Sequence, residues 1–248
     1  MFEFSRFTCG NPRHPPLIFL HGFLGAKEDW KEILSFFENH YFCIALDLPG
    51  HGSTSFCDQI LSKIKSEIEK ISTIKPALIG YSLGGRIVLQ LQEIASAIVV
   101  LSAHPGLKTS QEKEERRKID ESWIAKILEM PWEVFLAEWY AQPVFQALQH
   151  KPSFLKTIIE KRLNQNPKDL ALVLRQLSLA NQPLIDHFSS PALFLYGEED
   201  LKYRELYSRL PKNVQVRGIQ NCGHAIHLEN AAACAHEIFT WLNCYANS

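Results

Sequence analysis

Short apolar runs recur along the chain at 17–20, Phe42–Leu46, 77–79, Ala97–Leu101, 192–196 and 214–216, each punctuated by Gly, Pro or Asp. Within the first five runs the apolar residues are continuous rather than alternating with polar ones. That pattern fits strands buried on both faces, as in a parallel sheet covered by helices. Amphipathic stretches lie between the runs. Residues 27–38 put Trp30, Ile33, Leu34 and Phe37 on one helical face, and Ile60–Ile71 does the same with Ile60, Ile64, Ile68 and Ile71. Alternation of strand and helix predicts an α/β fold with a doubly wound, mostly parallel sheet.

The alternation stops in the middle of the chain. Ser110–Glu129, 131–140, 154–164 and 167–180 all read as helices, and no strand is predicted until Ala192. Acidic residues follow Ser110 in a first helical turn, where the helix dipole favours them. The predicted organisation is a core in two parts, 1–104 and 187–248, interrupted by an all-helical insertion at 105–186 that closes over the sheet as a lid. No internal repeat or low-complexity tract is evident.

With 248 residues, 46% of them hydrophobic, the chain can bury a core that needs no disulfide or metal staple. The formal net charge of −1 excludes a polyanion such as nucleic acid as the expected partner. An anionic small molecule would have to be held by a few placed arginines. Cys9, Cys43, Cys57, Cys222, Cys234 and Cys244 form no C-x-x-C pair and no zinc spacing. Scattered cysteines in a chain of this length fit reduced thiols. Residues 1–6 are acidic and alternating, unlike a signal peptide. No apolar stretch approaches the ~20 residues of a membrane span. A cytoplasmic protein without stable membrane insertion is expected, and nothing predicts a metal or an organic cofactor.

Gly80-Tyr81-Ser82-Leu83-Gly84 fits G-x-S-x-G, directly after an apolar run and before a helical pattern. That context puts a serine on a sharp strand-to-helix turn, with the positive end of the helix behind it. Ser82 is the candidate nucleophile. The loop His21-Gly22-Phe23-Leu24-Gly25 follows another strand, and the backbone N–H groups of Phe23 and Leu83 are the expected donors to a reacting oxyanion. His21 reads as a residue that shapes this loop by hydrogen bonding, and His51 as part of a rigid wall. Asp200 lies after the run 192–196 and His224 after the run 214–216, so the order Ser, Asp, His is that of α/β-hydrolases. His224 would take the Ser82 proton and Asp200 would hold its tautomer. Glu198 and Glu199 are the rival acids, and His227 is the rival base.

These motifs resemble the family of 2-succinyl-6-hydroxy-2,4-cyclohexadiene-1-carboxylate synthases, α/β-hydrolase-fold lyases of menaquinone biosynthesis. The resemblance covers nearly the whole chain. It rests on Gly80-Tyr81-Ser82-Leu83-Gly84-Gly85-Arg86, His104-Pro105-Gly106-Leu107, Trp139-Tyr140-Ala141-Gln142-Pro143, Ser178-Leu179-Ala180-Asn181-Gln182-Pro183 and Gly197-Glu198-Glu199-Asp200-Leu201-Lys202-Tyr203. Two positions depart from the pattern: Ala231 stands where proline is expected, and Cys222 replaces a commoner small residue. The resemblance implies a tricarboxylate substrate and an elimination of pyruvate rather than hydrolysis. It implies carboxylate contacts from Arg86, Arg116 and Arg162, with Arg117 a possible register for Arg116, and pocket walls from Tyr81 and Trp139. Arginine suits carboxylates because its planar fork makes two hydrogen bonds. The same residues leave two alternatives open: a triad hydrolase of esters or carbon–carbon bonds, and a hydrolase-fold receptor with a relict triad.

Overall fold

The computed structural model describes residues 2–246. Among them, β1 (Arg6–Cys9), β2 (Pro16–Leu20), β3 (Phe42–Leu46), β4 (Ala77–Tyr81), β5 (Ala97–Leu101), β6 (Ala192–Gly197) and β7 (Gln215–Ile219) form one sheet. The order is β1-β3-β2-β4-β5-β6-β7. β1 runs antiparallel to β3, and all other pairings are parallel.

Side chains alternate across each strand, and both faces are covered. Leu17 and Phe19 of β2 join one core cluster and Ile18 and Leu20 the other. The first face carries Trp30, Ile33 and Phe37 together with Ala231, Cys234 and Ile238 of the last helix, Ala231–Ala246. The second carries Ile60, Ile64 and Ile68 of the helix Ile60–Ile71. Full burial of each of the leucine, isoleucine and phenylalanine side chains is worth roughly 1.5–3 kcal/mol.

From 105 to 186 every helix or strand in the structure is helical, with Ser110–Glu129, Trp132–Tyr140, Pro152–Arg162 and Pro167–Gln176 the longest. The first begins with a capping box, in which the Thr109 hydroxyl accepts from the Glu112 N–H and the Glu112 carboxylate accepts from the Thr109 N–H. Pro152 and Pro167 open their helices, where a missing N–H costs nothing. None of the described helices is long and apolar enough to cross a membrane, and all six cysteines are free thiols.

Three elements differ from expectation. β1 is an edge strand of alternating half-exposed residues, too short and polar for an apolar-run reading. The helix expected at 27–38 is a 3₁₀ turn, Lys27–Trp30, followed by one α turn, Lys31–Leu34. The Lys27 N–H donates to Asp47 and the Asp29 carboxylate accepts from the Ala26 N–H, which together cap the start of the 3₁₀ turn. The last strand runs to Ile219, where it carries Gly197 of β6 against the loop that precedes His224.

Candidate active site

Ser82 joins β4 to the helix Leu83–Gln90 with φ 49° and ψ −107°. Such a conformation costs a non-glycine residue on the order of 1–3 kcal/mol. The surroundings enforce it. The Ser82 N–H donates to Leu101 O at 2.8 Å. A Cβ on Gly80 would lie 2.4 Å from the Gly84 carbonyl, and one on Gly84 would lie 2.0 Å from Leu20 O. The glycine spacing is therefore a requirement of strand and helix packing backbone to backbone.

Asp200 and His224 come from loops after β6 and β7. Asp200 caps the helix Leu201–Tyr207, where its Oδ1 accepts from the Tyr203 N–H at 3.2 Å. Its Oδ2 lies 2.8 Å from His224 Nδ1, and His224 Nε2 lies 3.4 Å from Ser82 Oγ. With Nδ1–H donating to the carboxylate, Nε2 is left as the acceptor facing the hydroxyl. The outer contact is long, as it often is before a ligand tightens such an array. Glu198 faces Tyr196 and Arg204 instead, and Glu199 is an exposed residue of the cavity lining with no hydrogen bond to His224. His227 is wedged between the rings of Tyr81 and Trp30, at 4.1 and 4.8 Å.

The loop at 21–25 is pinned by two buried histidines. His21 Nδ1–H donates to Gly22 O at 2.8 Å, while Nε2 accepts from the Leu48 N–H at 2.9 Å. His51 Nε2 accepts from the Leu24 N–H at 3.2 Å. Burial lowers the pKa of both rings, which keeps them neutral. Among the described residues the Phe23 and Leu83 N–H groups have no protein acceptor.

A cavity of about 530 Å³ opens onto Ser82 and His224 and is lined by Phe23, Arg86, Arg116 and Trp139. Arg86 donates to Leu177 O at 2.7 Å and faces no carboxylate at ion-pair distance among the described residues. Burial first, then the Arg116 charge, push its pKa down to about 10, so it stays cationic at neutral pH. Arg116 pairs with Asp120 at 2.8 Å, and Asp120 also accepts from Ser178 Oγ at 2.6 Å. Arg117 pairs with exposed Glu114 and is absent from the cavity wall. Trp139 packs on Phe23 and Trp123, so it serves both the helical segment's core and the cavity.

Two wall residues had no role in the sequence reading. Lys202 is exposed as a residue, yet desolvation around its ammonium, and then Arg116, lower its pKa. His104 is pushed down to about 4 by burial and by Lys202, Arg116 and Arg86. Both stand in motifs that carry the resemblance, but their place on the cavity wall shows only in the folded geometry.

Two expected cavity residues are elsewhere. Tyr81 and Arg162 line a second cavity of about 20 Å³, with Asp29, Tyr140 and His227, behind Phe23 and Phe145. Arg162 is only 3% exposed and donates to Asp29 Oδ2 at 2.6 Å. The carboxylate it meets is internal, which corrects the expectation that it faces the ligand. Tyr81 is turned from the main cavity by its packing on His227.

The model of the Alpha/beta hydrolase family matches residues 17–237. The chain is 33% identical over 236 residues to a 2-succinyl-6-hydroxy-2,4-cyclohexadiene-1-carboxylate synthase of Escherichia coli, covering 90% of this chain and 92% of the relative. The solved structure of MenH from S. aureus superposes with a TM-score of 0.89 at 26% identity, covering 98% of each chain. A thermophilic esterase from Thermogutta terrifontis, with a TM-score of 0.79 at 19% identity over 98% of this chain and 93% of its own, shares the fold alone. The chain belongs to the alpha/beta hydrolase family and, within it, to the family of 2-succinyl-6-hydroxy-2,4-cyclohexadiene-1-carboxylate synthases.

Proposed function

We propose that this chain is a lyase of menaquinone biosynthesis that eliminates pyruvate from 5-enolpyruvoyl-6-hydroxy-2-succinyl-cyclohex-3-ene-1-carboxylate. The product is 2-succinyl-6-hydroxy-2,4-cyclohexadiene-1-carboxylate. The observation that carries the reading is one cavity with the Ser82–His224–Asp200 array at its floor and the guanidinium groups of Arg86 and Arg116 on its wall. A neutral ester would leave the buried Arg86 cation without an anionic partner, whereas a tricarboxylate supplies one.

In this mechanism His224 Nε2 takes the Ser82 hydroxyl proton, and Asp200 stabilises the imidazolium. Ser82 Oγ then removes the proton from the ring carbon beside the succinyl ketone. The electron pair moves onto the ketone oxygen, where the Phe23 and Leu83 N–H groups hold the enolate. The enolate collapses, the ring C–O bond to the enolpyruvyl group breaks, and the departing pyruvate enolate is protonated from His224. No water is added and no acyl-enzyme forms. The reaction needs neither metal nor organic cofactor, and a small soluble substrate fits a cytoplasmic setting.

The test is the reaction in ¹⁸O-labelled water with mass analysis of both products. The elimination predicts unlabelled cyclohexadiene and an enolate-derived pyruvate whose carboxylate carries no enzyme-dependent label. An ¹⁸O-labelled acyl fragment with the enolpyruvyl ether intact would mean a hydrolase instead.

A further inference from the structure

Glu229 stands outside the array, yet it holds both backbone neighbours of His224. The Gly223 N–H donates to its Oε2 and the Ala225 N–H to its Oε1, each at 3.1 Å. The carboxylate side chain is 0% exposed. One acceptor-only group thus holds the N–H groups of the residues before and after the histidine, and a carboxylate suits this because each oxygen can serve one donor. The third contact comes from the helical segment: Lys151, the residue before the helix Pro152–Arg162, reaches Oε2 at 3.1 Å and Asn221 O at 3.5 Å. The same segment docks beside it, since a Cβ on Gly223 would lie 2.4 Å from the Ala147 Cβ.

We infer that Glu229 is a positioning residue that sets the His224 ring between Asp200 and Ser82, and that Lys151 couples its hold to the seating of the helical segment. The inference rests on His224 being the base of the array. An array that works over a 3.4 Å contact to Ser82 has little tolerance for a loop that drifts. Small misplacements of a reacting group cost large factors in rate. Without the carboxylate, the loop 221–225 would keep its chain connections but lose the paired N–H anchor that fixes the ring's backbone.

The experiment compares Glu229→Gln, Lys151→Met and Lys151→Arg with wild type by the rate at which a fluorophosphonate labels Ser82, by kcat and KM for pyruvate release, and by thermal melting. Glutamine offers one oxygen and one amino group, so one N–H loses its acceptor. The expected result for Glu229→Gln is labelling and kcat lowered together by roughly ten- to a hundredfold, KM within about threefold, and a cooperative melt. Lys151→Met should lose a few-fold in both rates, and Lys151→Arg should recover most of it. A folded Glu229→Gln that labels within twofold of wild type overturns the inference. If that variant does not fold, unchanged labelling in Lys151→Met overturns it. Labelling needs no natural substrate. A wild-type protein that labels but releases no pyruvate therefore defeats the proposed reaction and leaves the positioning role to be judged by labelling alone.

Discussion

The Arg162 guanidinium donates to the Asp29 carboxylate across 2.6 Å, and neither side chain is more than 4% exposed. The pair ties the helical segment to the turn beneath the Phe23 loop, because Asp29 Oδ2 also accepts from the Ala26 N–H at 3.2 Å. Removing one member of such a pair leaves a buried charge alone and costs about 3–5 kcal/mol. Arg162→Met should therefore lower the melting temperature by on the order of 10 °C. Combining it with Asp29→Asn should recover most of the loss. Burial pushes the Asp29 carboxyl up, but the charge and hydrogen bond of Arg162 outweigh that and hold it below its ordinary value. Its contribution is full above about pH 4 and is lost as pH falls through the depressed value. A single variant as stable as wild type would remove this pair from the account.

His227 gives stability a second pH dependence. Burial, set against the pull of Asp29, pushes its pKa down to about 3. The unfolded chain binds a proton near pH 6.5 that the folded chain refuses, so stability falls as pH drops from about 6.5 towards 3. The slope from one such group is about 1.4 kcal/mol per pH unit. His227→Phe fits between Tyr81 and Trp30 and should flatten the dependence of urea-unfolding free energy between pH 6 and 5 by about that amount. His21 keeps part of the slope, as its pKa is also lowered by burial. An unchanged slope in His227→Phe contradicts this assignment.

Ser82→Ala should abolish pyruvate release while leaving the melt close to wild type, since the turn is enforced by its neighbours. Asp200→Asn should lower kcat well over tenfold, because the histidine loses the partner that fixes its tautomer, a loss of ~10⁴ in a serine protease. Near wild-type turnover in Asp200→Asn, with Glu199→Gln inactive, would reassign the acid.

The cations of the cavity wall make a graded prediction. Arg86→Ala and Arg116→Ala should each raise KM and lower kcat/KM by roughly ten- to a hundredfold, the value of a charge-assisted hydrogen bond. Arg86 should matter more, since Arg116 already has Asp120 as a partner. Lys202→Met at the exposed rim should cost less, about threefold to tenfold in kcat/KM, mainly through KM. Lysine at position 86 should rescue only partly, because a point charge lacks the planar fork. Steady-state kinetics at fixed ionic strength separates these outcomes, and equal kcat/KM in all of them would mean that the wall does not read charge.

Much of the molecule was legible because its signals are local. The five inner strands are buried on both faces and read as apolar runs, and the glycine spacing around Ser82 reports a backbone contact that only glycine permits. The chain order of Ser82, Asp200 and His224 placed three residues that the fold brings together. What depends on partners far apart in sequence was not legible. Nothing near Arg162 reveals that Asp29, 133 positions away, already holds it. Nothing near Glu229 reveals Lys151. Lys202 and His104 stand in motifs of the resemblance, but that they share one wall shows only when the loop after β6 and the segment after β5 meet at one cavity.

The most direct measurement is pyruvate release by the purified wild-type chain from the enolpyruvoyl cyclohexene tricarboxylate, followed with lactate dehydrogenase and NADH alongside the ultraviolet absorbance of the new conjugated diene. Both signals should rise together in equal amounts, without added metal or cofactor, and Ser82→Ala should show neither. Diene and pyruvate at the uncatalysed rate in the wild-type protein, or undiminished in Ser82→Ala, would contradict the proposed elimination.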